Sequence, residues 1–320
     1  MITSSVTQET FCAQLTRQSN DPVFGTATKA SVWFLLEYAN PWPAKAVADN
    51  ELPAQVQEFL SRQTAAIPRS RLLFIKQDAD QTSKLRFFVV KTGELTPFIL
   101  EFALDAYEDL LALDLAAIIE EPEAYAHLVR LEPLFLVCTN GKRDKCCAKF
   151  GRPLYDALRQ SQGPATWQSS HIGGHRYAPN LLFLPHSVNF GLLTTEEAEA
   201  AAAAYLDGRI HDLARYRGRT YYAPHVQAAD YFLRESLQYL ALTGLRLLAA
   251  DPVDENSWLI QFQIAADDEI HQLHVLREMT AQNRLVSCNS PAEKLVSRYR
   301  LLGHRTKNQS AHEEHNTTTH

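Results

Sequence analysis

Three of the five cysteines in this chain fall within ten residues, at Cys138, Cys146 and Cys147. About twenty-five residues later, the run Trp167-Gln-Ser-Ser-His-Ile-Gly-Gly-His-Arg-Tyr places His171 and His175 four positions apart across a Gly-Gly pair. Thiolates and neutral imidazoles are good ligands for Zn²⁺ and for a [2Fe–2S] cluster, so two of each suit either. Cys138 and Cys147 stand in a Cys-x8-Cys spacing, too long for a short zinc knuckle, and the Cys-x-His of a Rieske centre is absent. Cys146-Cys147 is a vicinal pair rather than Cys-x-x-Cys, which argues against thiol–disulfide catalysis. On spacing alone either Cys146 or Cys147 could join Cys138. Two glycines would each cost a helix about 1 kcal/mol, so the His-Gly-Gly-His segment is expected as a tight loop whose glycines let the backbone approach whatever the imidazoles hold. That glycine pair lacks the strand–GxGxxG–helix setting of a phosphate site. Cys12 and Cys288 stand alone.

These residues need a scaffold, and the pattern supplies one twice. Residues 31–37 read as a buried strand, 54–62 as a helix, 71–76 and 85–90 as two strands joined by a polar turn, and 107–120 as a helix. The order returns with strand 134–138, helix 153–159, strands 166–170, 180–184 and 187–193, and helix 195–206. Strand, helix, β-hairpin, helix is the thioredoxin-type order. The expected fold is therefore α/β: two tandem thioredoxin-like repeats plus a small C-terminal α+β unit. The expected boundaries are an N-terminal extension at 1–24 with one helix at 10–17, a repeat without ligands at 25–127, a ligand-bearing repeat at 128–218, an α+β domain at 220–303 and a disordered tail at 304–320. Residues 207–219, polar and rich in Arg and Gly, read as a linker. The C-terminal unit is expected to hold a helix at 226–242, strands at 245–249, 258–264 and 271–277, and a closing helix at 292–302. The tail histidines His304, His312, His315 and His320 read as solvated rather than as a metal site. Trp33, Trp42, Trp167 and Trp258 read as core or interface residues.

Composition narrows the function. At 320 residues and 36.1 kDa the chain suggests two domains or so, and 46% hydrophobic with 21% charged residues is a globular balance. A net charge of -6 gives no basic footprint for nucleic acid and no polybasic case for a membrane surface. The apolar runs are short and interrupted, well below about 18 residues, so no transmembrane helix is expected. The first residues lack a basic-then-apolar leader, so no secretory signal is expected. An odd, sparse cysteine count fits a reducing compartment, and the cytoplasm is the expected location.

The motifs Val137-Cys-Thr-Asn-Gly-Lys-Arg-Asp-Lys-Cys-Cys-Ala, Gly151-Arg-Pro, Ser170-His-Ile-Gly-Gly-His-Arg-Tyr-Ala-Pro-Asn and Leu182-Phe-Leu-Pro185 resemble those of the sucrase/ferredoxin-like family. The resemblance is sharp over about 130–195 and loose over about 25–218. It implies a thioredoxin-like [2Fe–2S] ferredoxin with Cys138, Cys147, His171 and His175 as ligands, Cys147 being preferred to Cys146 on family spacing. Where the family usually has His two positions after the first Cys, this chain has Asn140. No paired-carboxylate motif supports a sucrase, and an electron carrier or redox component is expected rather than a stand-alone enzyme. Four thiolates would make the oxidised centre a dianion, whereas two thiolates and two neutral imidazoles leave it neutral, so His ligation raises the potential. An imidazole proton that leaves on oxidation makes that potential fall with rising pH. Lys142, Arg143, Lys145, Lys149 and Arg152 surround Asp144 alone. Such a face would favour the reduced state and, near Lys142, Arg143 and Lys145, dock an acidic redox partner protein. The alternatives are a Zn-binding structural module using the same four residues, and a thiol-redox protein.

Overall fold

The computed structural model describes residues 10–78, 84–266 and 269–307. A short helix α1 (Cys12–Gln18) precedes the first α/β unit: β1 (Val32–Glu37), α2 (Ala54–Ala66), β2 (Ser70–Lys76), β3 (Leu85–Lys91), β4 (Phe98–Leu104), a 3-10 turn at Tyr107–Ala112 and α3 (Leu115–Glu120). The second unit contains β5 (Leu134–Cys138), α4 (Lys145–Gln162), β6 (Thr166–Ser169), β7 (Asn180–Leu184), β8 (Val188–Gly191), α5 (Thr195–Leu206) and β9 (Tyr216–Arg219). All nine strands form one sheet, in the order β4-β3-β1-β2-β6-β5-β7-β8-β9. In each half the helix-linked strands run parallel (β1 with β2, β5 with β6) and the next strand pairs antiparallel to the first (β3 with β1, β7 with β5). The arrangement is compatible with a thioredoxin-like α/β fold in each half.

The halves meet where β2 pairs antiparallel with β6, through Ile75 opposite Ser169 and Lys76 opposite Gln168. So short a seam lets the sheet bend sharply. Phe88 of β3 and Trp167 of β6 lie three strands apart in the sheet order, yet their rings meet edge-on at 5.7 Å. The shared face (Trp33, Leu35, Leu73, Ile75, Phe88, Leu134, Leu136, Trp167, Leu182) is thus folded against itself and fully buried. Alternation along β1 and β5 sends Phe34 and Leu36, and Phe135 and Val137, to the opposite face, under α2 in the first half and under α4 and α5 in the second. Helices lie outside, and the two faces of sheet pack inside.

Several sequence expectations need correction. The strands at 71–76 and 85–90 do not pair with each other; β3 pairs instead with β1 and with β4, which the pattern at 98–104 did not announce. The helix expected over 107–120 is broken at Leu113, and Asp114 caps α3 by accepting from the Ala116 and Ala117 N–H groups. α4 begins eight residues before the expected start, so Pro153 lies inside it. The expected linker at 207–219 ends in β9, whose residues are all buried, Arg217 and Arg219 among them.

The C-terminal unit comprises α6 (Pro224–Leu237), β10 (Leu245–Pro252), β11 (Ser257–Ile264), β12 (Ile270–Met279), the hairpin β13 (Arg284–Ser287) and β14 (Ser290–Lys294), and β15 (Ser297–Lys307). Gln238, at φ +52°, caps α6, which ends five residues before its expected end. The helix expected at 292–302 is absent: helix-favouring Ala, Glu, Lys and Leu misled there, while β15 pairs along its length with β12 and turns Tyr299 and Leu301 toward the α6-covered core. His304 to Lys307, expected in the tail, continue β15; 308–320 lie outside the described residues. No described helix is long and apolar enough to cross a membrane.

One buried base makes the fold acid-sensitive. His186 contacts the Tyr205 hydroxyl at 2.7 Å, and burial, with Arg219 adding to it, lowers its pKa to about 4. The unfolded chain takes up this proton near pH 6.5 and the folded chain only near 4, so stability falls as pH drops through that window. Urea midpoints measured at pH 7 and at pH 4.5 should differ less in His186→Gln than in the parent protein; equal differences would remove His186 from the account.

Candidate metal centre

The centre sits where the second α/β unit turns from β5 into α4. Cys138 ends β5 with its side chain on the shared internal face. Asn140 closes the following turn, its Oδ1 accepting from the Arg143 N–H at 3.2 Å and its Nδ2 donating to the Pro43 carbonyl at 3.1 Å. Asp144 then caps α4 through the Cys146 N–H at 3.0 Å. Successive residues on a helix point about 100° apart, and the vicinal pair accordingly parts. Cys147 faces Cys138, whereas Cys146 faces α1.

His171 follows β6 and brings its Nδ1 to 3.8 Å from the sulfur of Cys138 and 3.8 Å from that of Cys147. These three ligand atoms lie within 4.8 Å of one another. His175 is beside them, its ring centroid 5.1 Å from that of His171. It lies outside the three-residue group, with Nε2 3.9 Å from Asp144 Oδ2 and Nδ1 buried without a hydrogen-bond partner among the described residues.

The loop between the histidines takes the tight form its glycines suggest, with φ of +125° at Gly173 and +73° at Gly174. A Cβ on Gly173 would strike Thr28 Oγ1, and one on Gly174 would strike the Arg217 guanidinium. The loop is gripped from both halves. Thr28 Oγ1 donates to the Ile172 carbonyl at 2.8 Å, and Asn180 Nδ2 to the Gly174 carbonyl at 3.0 Å. Buried Arg217 donates to Thr26 Oγ1 at 3.0 Å and the Gly173 carbonyl at 3.1 Å, and also to Asn180 Oδ1 and the Thr26 carbonyl. The ligand-free repeat therefore supplies part of the wall of the centre.

The electrostatics follow from contact and burial. The Cys138 thiol is held well below the ordinary thiol range, first by its hydrogen bond with Cys147, then by His171 and the Ile172 N–H, against the opposing cost of burial. Cys147 is correspondingly pushed up by Cys138 and by burial. Without a cation the pair thus favours one thiolate over two. Burial pushes His175 down, with Asp144 opposing, so its imidazole is held neutral and able to ligate. For Asp144 burial raises the pKa, but hydrogen bonds from the Cys146 and Cys288 N–H groups and Ser287 outweigh it, and the carboxyl is lowered overall.

These Cys and His side chains could hold a metal ion. His171 also lines a cleft of about 670 Å³, with Arg71, Arg143, Ser170 and Lys45 among its walls. Lys142, Arg143 and Lys145 are exposed at the rim of the centre. Sequence reasoning missed Asp144, Cys12 and Cys288, because a capping acid and isolated cysteines carry no spacing signal. In the fold, Cys12, Cys146, Cys288 and Asp144 make a second group whose ligand atoms lie within 4.8 Å of one another.

No curated protein and no solved structure matches the chain. A family model described as sucrase/ferredoxin-like matches residues 23–218, the span that holds both Cys138 and Cys147 and the histidine loop, and over that span, more than half of its length, the chain belongs to the sucrase/ferredoxin-like family.

Proposed function

We propose that this protein is a one-electron carrier whose Cys138, Cys147, His171 and His175 hold a [2Fe–2S] cluster. The observation that carries this reading is the convergence of two thiols on the Nδ1 of His171, beside the buried, unpartnered Nδ1 of His175. A buried polar atom left without a partner is costly, and a ligand role for that nitrogen removes the cost. When bound, the group supplies one-electron exchange at a potential raised by its imidazole ligands. The chain does the rest. Arg217 and Thr28 fix the histidine loop, and the buried sheet face excludes water from the sulfurs. Asp144 lies 3.9 Å from His175 Nε2, so its charge acts through space to favour the proton on that ring. The cleft beside His171 and the cationic rim at Lys142, Arg143 and Lys145 form the exchange face, suited to an acidic redox partner protein. None of the five cysteines is paired in a disulfide, in keeping with a reducing, cytoplasmic setting.

Protein purified without oxygen should be coloured and carry iron and acid-labile sulfide in equal amounts. His175→Cys should lower the midpoint potential and flatten its pH dependence. A colourless protein carrying zinc at these four residues would establish the structural-module reading instead, and unchanged potential and slope in His175→Cys would take that residue off the iron.

A further inference from the structure

A second cluster of soft ligands lies against the first and shares none of its cysteines. Cys12 comes from α1, Cys146 from the first turn of α4, and Cys288 from the turn between β13 and β14. Their sulfurs form a triangle with sides of 3.5 Å (Cys12–Cys146), 3.1 Å (Cys146–Cys288) and 3.5 Å (Cys12–Cys288). Residues 12 and 288 both lie outside the family-matched span of 23–218. This chain has therefore recruited one thiol from each flank to meet the cysteine that the first centre leaves over.

The flanks are built to hold that meeting. Arg284 of β13 pairs with Asp21, just past α1, at 2.6 Å and 3.0 Å. Arg176 reaches the same carboxylate at 3.2 Å. Asp144 binds the hairpin turn through the Ser287 hydroxyl at 2.9 Å and the Cys288 N–H at 2.8 Å, while capping Cys146. Cys12 and Cys146 are fully buried, and Cys288 is partly exposed, which leaves a route from solvent.

We propose that Cys12, Cys146 and Cys288 form a second metal centre, a three-thiolate site for Zn²⁺ with Asp144 in the fourth position. Zinc–thiolate bonds of about 2.3 Å in a tetrahedron set sulfur–sulfur edges of about 3.8 Å, so two edges need open by about 0.3 Å and the Cys146–Cys288 edge by about 0.7 Å. Soft thiolates select such a cation over Mg²⁺ or Ca²⁺. The carboxylate gives an independent reason. Asp144 is fully buried, and the imidazole 3.9 Å from it, that of His175, is held neutral and so brings no full positive charge to the carboxylate. Buried charges are paired or coordinate metals, and Zn²⁺ among three thiolates and this carboxylate leaves a net charge of -2, the same as a four-thiolate zinc site. Binding displaces the three thiol protons to solvent and changes no oxidation state.

The test uses full-length protein purified under reducing conditions, with zinc, iron and sulfide measured together. The parent should carry a full equivalent of zinc. Cys12→Ser/Cys288→Ser should lose essentially all of it and keep its colour, iron and sulfide. Cys138→Ser/Cys147→Ser should do the reverse, so failure of either centre is read separately. As a check independent of folding in the variants, zinc added to chelator-stripped parent protein should protect the peptides carrying Cys12, Cys146 and Cys288 from alkylation. Zinc content unaffected by the first double variant, or three thiols that alkylate equally fast with and without zinc, would overturn the proposal and leave a packed trio of thiols.

Discussion

Gly151→Ala is expected to pull the candidate metal ligands apart and to destabilise the protein by about 3 kcal/mol, the upper part of the range for overpacking a tight core. Gly151 lies on the buried face of α4, and a Cβ there would run into the carbonyl oxygen of Cys138. That carbonyl belongs to β5, which is held between β6 and β7. The helix must therefore give way, and its first turn carries Cys147. A methyl group placed one helical turn away thus separates Cys147 from Cys138 and His171 without altering any ligand. Iron and sulfide per chain, together with the thermal midpoint, check this. Parental metal content in a stably folded Gly151→Ala protein would show that α4 can shift without cost to the centre.

Arg217→Met should lower stability by about 3 kcal/mol or more, since each buried acceptor left without a donor costs about 1–3 kcal/mol. The guanidinium is fully buried, which lowers its pKa to about 10, and it satisfies four acceptors, from Thr26, Gly173 and Asn180. Removing it leaves those oxygens buried and unpaired. It also frees the 171–175 loop, so the proportion of chains loaded with metal should fall as well. Arg217→Lys should rescue little, because one ammonium cannot reproduce the planar fork. The urea midpoint and iron content of both variants decide the matter, and a lysine variant with parental values would show that only the charge matters.

Arg217 also shows where the sequence is misleading. Arginine beside glycine in a polar stretch reads as a solvated linker, and only the acceptors contributed from residues 26, 173 and 180 make it a buried clamp. The convergence of the candidate residues was more legible. Cys138 and Cys147 bracket a strand end and a helix start, and the glycine pair marks a loop, so three of the four expected residues meet in the fold. His175 stands just outside that group, turned toward Asp144, a contact no local pattern encodes. Buried strands such as β5 and β7 were legible because continuous apolar runs of that length have few alternatives. β15 was not, since its pairing with β12 overrides the helix preference of its neighbours. Residue spacing alone left Cys146 and Cys147 open and only the family resemblance preferred Cys147; the cap that sets the rotation of α4 turns Cys147 toward Cys138.

The distances along the chain impose an order in time. A protein emerges from the ribosome N-terminus first and its units fold as they are completed. Residues 138 to 175 leave the tunnel together, and the span to 218 can close while the C-terminal unit is still being translated. Cys12, which precedes that span, must wait for Cys288, which follows it. The candidate ligands at 138, 147, 171 and 175 can thus meet before the sulfur triangle, which closes only once Cys288 has emerged.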